Sequence, residues 1–155
     1  MMQTVVDINN AFKAIVLAHE QLKSFHTYSI DTLDMEKLNV NQYPLLYAQC
    51  TGAEIEGGDT LFTYEVIVGD LVIEKQQPDM TQVYAETLLI MQDVASKFYF
   101  NVVSNNTTVD DRWSFELPLS CDPFTARFDN LLTGWSTQFQ IKLPNVINLC
   151  DAPYN

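Results

Sequence analysis

Basic residues are scarce in this chain. Lys and Arg number eight against twenty Asp and Glu, a formal net charge of −12 over 155 residues. The eight are Lys13, Lys23, Lys37, Lys75, Lys97, Arg112, Arg127 and Lys142, scattered along the sequence without a cluster. Holding a phosphate backbone requires clustered cations that displace its counterions. Sequence-specific or general nucleic-acid binding is therefore not expected. The acidity has two readings: solubility, or a surface that repels nucleic acid, such as the wall of a channel.

Other scarcities exclude other classes. His19 and His26 are the only histidines, and no Cys or carboxylate lies at metal-ligand spacing from either. Cysteines are Cys50, Cys121 and Cys150. Their odd number, the lack of Cys-x-x-Cys and the absence of a charged-then-apolar leader at Met1-Met2-Gln3-Thr4 favour reduced, inert thiols in a cytoplasm. Gly57-Gly58 is followed by Asp59 and not by Lys-Ser or Lys-Thr, so it reads as a turn and not a phosphate loop. No Gly-x-Ser-x-Gly surrounds any serine. Every apolar stretch is interrupted before it could cross a bilayer. No catalytic residue, metal ligand or cofactor site is expected, and no membrane partner.

The remaining composition is that of an ordinary globular domain, 47% hydrophobic and 18% charged. No repeat or low-complexity linker divides it. The expectation is one domain over residues 1–155, with 144–155 an irregular C-terminal tail.

Asp7 to about Ser24 carries Ile8, Ala11 or Phe12, Ile15, Ala18 or His19, and Leu22 at helical steps, with Asp7 as N-cap. Phe25–Leu33 reads as extended and Asp34–Gln42 as a loop. Tyr43-Pro44 introduces a strand at Leu45–Gln49. Glu54–Thr60 is a turn, and Leu61–Val68 a strand with Phe62, Tyr64, Val66 and Val68 on one face, completing a hairpin. Its other face, with Leu61, Thr63, Glu65 and Ile67, is half-apolar and a candidate interface. Asp79 with Gln82 resembles a capping box. The helix it opens runs to about Tyr99. Met80, Tyr84, Leu88, Met91, Ala95 and Phe98 form its stripe, widened by Val83, Thr87, Ile90 and Val94.

Asn101–Asp111 reads as a loop. Trp113, Phe115, Leu117 and Leu119 alternate with polar residues as a strand, placed at an edge by Pro118. The type of Phe124–Leu132 stays open. Trp135, Phe139, Ile141 and Leu143 alternate as a last strand, ended by Pro144. The predicted fold is α+β: an antiparallel sheet of about four to six strands with two amphipathic helices packed on one face.

The acidic group Glu54, Glu56 and Asp59 lacks the ligand spacing of a calcium loop. Asp110-Asp111 reads likewise as solvated. Trp113 and Trp135 read as core and not as base-stacking platforms.

The layout resembles the tail terminator and tail completion proteins of tailed bacteriophages, and the neck-ring proteins related to them. The residues carrying the resemblance are Tyr43-Pro44-Leu45-Leu46 and the hairpin to Phe62-Thr63-Tyr64-Glu65-Val66. With them go the helix containing Glu86-Thr87 and Gln92-Asp93, the segment Pro123-Phe124 through Phe128-Asp129-Asn130 to Gly134-Trp135, and the closing Cys150-Asp151-Ala152-Pro153. The resemblance implies a virion structural protein of the neck or tail, assembled in the bacterial host cytoplasm. Its partners would be copies of itself in a ring and portal, connector or tail-tube proteins, around a channel that DNA traverses without sticking. It implies no catalytic residues. Glu54, Glu56 and Asp59 would form a channel-facing loop. The alternative is a small non-enzymatic adaptor acting as monomer or dimer. A carboxylate-based small-molecule enzyme is a further contender, and would show itself by a pocket holding two carboxylates of perturbed pKa.

Overall fold

The computed structural model describes residues 5–27, 42–71, 77–100, 113–127, 132–145 and 153–154. In chain order these form α1 (Val5–Ala18), β1 (Ser24–His26), β2 (Leu45–Ile55), β3 (Asp59–Leu71), α2 (Gln77–Tyr99), β4 (Cys121–Arg127) and β5 (Leu132–Pro144). The five strands make one sheet in the order β1-β2-β3-β5-β4. Every pairing is antiparallel except β1 with β2, which is parallel. The α+β expectation holds; the one parallel pair arises because β1 and β2 are not joined by a tight turn.

Both helices cover the same face. On β3 and β5 the helix-facing residues Phe62, Tyr64, Val66 and Val68 pair with Ile141, Phe139, Thr137 and Trp135. With Leu46 and Ala48 of β2 they meet Ile8, Phe12, Ile15 and Val16 of α1 and Ile90, Val94 and Phe98 of α2. The centre is aromatic. Phe12 lies 4.7 Å, ring centre to ring centre, from Phe98, and Phe98 lies 5.0 Å from Trp113. Two polar groups in this core are satisfied: the Tyr64 hydroxyl donates to Asn9 Oδ1 (2.9 Å), and Trp113 Nε1 donates to the Phe98 carbonyl (2.6 Å).

α1 ends well before Ser24. The amide of His19 closes the last turn on Ile15, and its Nδ1 accepts from the amides of Gln21 (3.1 Å) and Leu22 (3.3 Å). That bends the chain while Leu22, the last residue of the stripe, stays buried. With Nδ1 accepting, the ring proton sits on Nε2, which donates to Asp93 Oδ2 of α2 at 2.8 Å. Asp7 lies inside the first turn and is not the N-cap; its charge still favours that helix end. Asp79 also lies inside its helix, which begins at Gln77, and Gln82 Nε2 donates forward to Glu86 Oε1 (3.0 Å). The buried face of α2 is rotated from the expected one. Val83, Thr87, Ile90, Met91, Val94, Ala95 and Phe98 are buried, whereas Tyr84 and Leu88 are half-exposed at its flank.

The opposite face is not simply an open interface. Its upper half holds a second apolar cluster of Tyr43, Leu45, Tyr47, Ile67 and Leu132, all buried, with Leu71 and Phe124 beside it. Gly69 and Gly134 face each other there across β3 and β5. A Cβ on Gly134 would lie 2.0 Å from the Val68 carbonyl oxygen, so the two backbones approach this closely only with glycine.

The expected strand at Trp113–Leu119 does not form. Ser114 makes a single bridge to Lys142, and Trp113 and Phe115 are buried, but the chain then leaves the sheet with Leu117 52% exposed. Pro118 has no amide to give to a ladder, and pairing along this edge of β5 resumes only at Cys121. The open segment Phe124–Leu132 includes the end of β4 and the start of β5. Residues 28–41, 101–111 and Cys150 lie outside the described residues, and with them most of the Phe25–Leu33 and Asp34–Gln42 readings, the Asn101–Asp111 loop with Asp110-Asp111, the Cys150 thiol and most of the C-terminal tail. Its first part is described: the Asn145 amide donates to the Gly58 carbonyl (2.8 Å), and its Nδ2 to the Glu56 carbonyl (3.3 Å) and Thr60 Oγ1 (2.7 Å).

Candidate functional site

The β2–β3 hairpin is longer than its sequence suggests. β2 continues to Ile55, and the turn is only Glu56 to Gly58, with Gly58 at φ 117°, a left-handed conformation that favours glycine. Cys50 pairs with Tyr64 and Gly52 with Thr63, leaving Thr51 as a bulge. Beyond it Thr51–Ile55 are exposed, and Ile55 is 75% exposed. β1 pairs only with Leu45–Tyr47. Among the described residues, therefore, no strand lies beside the outer edge of β2 from Ala48 to Ile55.

The bulge also decides where Glu54 points. An unbroken alternation from Leu46 and Ala48 would put position 54 on the helix side. The extra residue flips it, so that Glu54 pairs with Leu61 on the face opposite α1 and α2. Asp59, paired with Pro144, shares that face. Glu56 reaches back to it: its carboxylate lies 3.4 Å from Lys142 Nζ. The three expected loop residues are thus together at one end of one face. Glu54 is exposed, Glu56 and Asp59 half-exposed, and Glu56 is ion-paired and not free.

The same face continues into a shallow polar cleft of about 610 Å³ lined by Glu65, Glu116, Asp122, Ser136, Gln138 and Gln140 among others. Sequence reading assigned Glu65 to this face but did not connect it with Glu116 and Asp122, because the sheet order that joins them is not visible in one strand's alternation. Among the described residues no group of His, Cys, Asp and Glu is arranged to hold a metal ion.

A second concavity, about 470 Å³, lies on the helix side at the opposite sheet edge. It runs between α2 and the 117–121 segment and is lined by Leu88, Met91, Gln92, Ala95, Ser96, Tyr99, Phe100, Leu117, Pro118, Leu119 and Cys121. Among the described residues, its lining contains no Asp, Glu, Lys, Arg or His.

Among the described residues, perturbed titrations fall outside both concavities, with one exception. Burial pushes the Cys121 thiol up, opposed by a hydrogen bond with Thr137 and aided by the charge of Asp122. It is accordingly a protonated, weakly nucleophilic thiol in the apolar groove. Burial raises Asp70, with the Leu71 amide opposing and the charge of Glu86 adding. Burial lowers His26, whose Nε2 donates to Ser24 Oγ (2.9 Å) while that hydroxyl donates to the Gln42 carbonyl (2.6 Å). Asp70 and His26 sit apart, on β3 and β1, without a shared reacting position.

No family model matches this sequence, and no curated protein matches it. Among the described residues, no helix is long and apolar enough to cross a membrane.

Proposed function

We propose that this chain is a ring-forming structural subunit of a phage head-to-tail connector or tail terminus, with the sheet face opposite α1 and α2 turned toward the DNA channel. The observation that carries the reading is the distribution of charge on that face. Glu54, Glu56 and Asp59 at the hairpin end run on to Glu65, Glu116 and Asp122 in the polar cleft, with Lys142 tied to Glu56. Repeated around a closed ring, such a face makes a negative wall. DNA phosphates meet no release of counterions there and pass without being held. The catalytic roles are none and no cofactor is required. The protein partners are further copies and the portal, connector or tail-tube proteins above and below, and the location is the virion neck or tail.

A ring demands a heterologous contact whose rotation closes. Native mass spectrometry tests this directly. A closed oligomer of several copies is the expected result. A chain that stays monomeric or dimeric at every concentration would replace the ring with the adaptor reading.

A further inference from the structure

We infer that the apolar groove between α2 and residues 117–121 receives the exposed end of β2, around Ile55, from a second copy of this chain, making a head-to-tail contact. The inference rests on the ring reading only for the closure of the chain of contacts; the contact itself stands on four observations.

The first is charge. Copies of a chain with net charge −12 repel one another, so contact between copies is favoured where charge is absent. Among the described residues, the groove lining contains no Asp, Glu, Lys, Arg or His. Within that lining Leu117, Tyr99 and Phe100 are exposed apolar side chains. The second is the counterpart. Thr51-Gly52-Ala53 and Ile55 form an exposed stretch interrupted by Glu54 alone. The bulge sends Glu54 to the face opposite α1 and α2 and leaves Ile55, paired with Thr60, on the helix side.

The third is placement. β2 and the β5–β4 edge lie at opposite sides of the sheet. The groove, walled by α2, is on the helix side, as Ile55 is. A knob at one edge and a hole at the other, in the same layer, repeat by lateral addition and not by mutual two-fold pairing. The fourth is negative. β4 is a poor alternative acceptor for a strand, because Pro123 within it lacks an amide. The groove therefore takes a side chain in preference to a continued ladder. Ile55 fills the site lined by Leu88, Met91 and Leu117.

The experiment is disulfide trapping in the full chain, with Cys50, Cys121 and Cys150 replaced by Ser. Ile55→Cys and Leu117→Cys are made singly and together, and each variant is checked for wild-type circular dichroism. Mild oxidation of the double variant should give a ladder of covalent dimers, trimers and higher species. Each single variant should give little product. In parallel, Leu117→Glu should weaken self-association by about tenfold or more, as loss of a central apolar contact does. Covalent dimers from Leu117→Cys alone would mean a symmetric groove-to-groove contact and would overturn the proposal. An oligomeric wild type whose double variant gives no ladder, and whose Leu117→Glu form assembles normally, would remove this contact and leave the ring standing. A wild type that never self-associates would remove both.

Discussion

At the scale of single residues, Asp70 is where the fold works against a charge. Its carboxyl is raised from the ordinary value of 3.8, first by burial. A carboxyl with a folded pKa above its unfolded one favours the folded state while protonated. That advantage is lost as the pH rises above 3.8. Asp70→Asn removes the ionisation but keeps an oxygen to accept the Leu71 amide, now 2.8 Å from Oδ1. The variant should melt higher than wild type at pH 7, and the gap should close near pH 3 in thermal scans. A variant that melts lower at pH 7 would mean the carboxylate has a favourable partner. Gly134 is the converse case, a residue fixed by space. A methyl group there meets the Val68 carbonyl oxygen at 2.0 Å and Gly69 Cα at 2.8 Å. Since backbone cannot rotate away as a side chain can, Gly134→Ala should cost about 3 kcal/mol in a denaturant melt. Neither effect was legible in the sequence. Both depend on what stands across a strand pair, and Gly69 and Gly134 are far apart in the chain.

Secondary-structure elements were legible in proportion to how regular their alternation is. Phe62 to Val68 and Trp135 to Leu143 were readable as strands because the alternating set on each meets the helix-side core, although Ile67 on the first is buried in the second cluster. The bulge at Thr51 was not readable, since an inserted residue leaves the composition unchanged and alters only the parity that follows. Trp113 to Leu119 kept the alternation of a strand without its pairing: Trp113 and Phe115 are anchored by the aromatic cluster, and Pro118 opens the ladder. In α2 the stripe was wide enough to be centred in two ways. The structure centres it on Val83, Thr87, Ile90, Val94 and Phe98, and a buried Thr87 is tolerated because its hydroxyl donates to the Val83 carbonyl at 2.6 Å. The two helix faces can be separated by mutation. Ile90→Ala leaves a cavity under a side chain only 1% exposed and should cost about 2–5 kcal/mol. Leu88→Ala, at the rim of the groove, should cost about 1 kcal/mol or less in the isolated subunit, because water already reaches that wall. Equal losses in urea melts would contradict the assigned face.

At the scale of the whole molecule, the test concerns the acidic face and not the fold. The sequence showed that Glu54, Glu56 and Asp59 are near one another, but not that one of them is already neutralised. Glu56 pairs with Lys142, and its backbone is held by Asp59 and Asn145. Reversing its charge would set two cations side by side and loosen the turn. Glu54 and Asp59 are the better sites. Replacing both with Lys shifts the formal net charge from −12 to −8, two units at each position. Glu54 is exposed and Asp59 half-exposed, so the subunit should keep its melting temperature within a few degrees. In an assembled ring the added lysines should make DNA stay bound at low salt and release at high salt, since each phosphate they neutralise sets free a counterion. Wild-type assemblies should retain no DNA at either salt. Retention by the Lys variant that is equal at low and high salt, or absent at both, would place these carboxylates on the outer wall, where their charge serves solubility alone. Salt-dependent retention would place them at the channel, and the lysine count per ring would then set the slope of affinity against salt concentration.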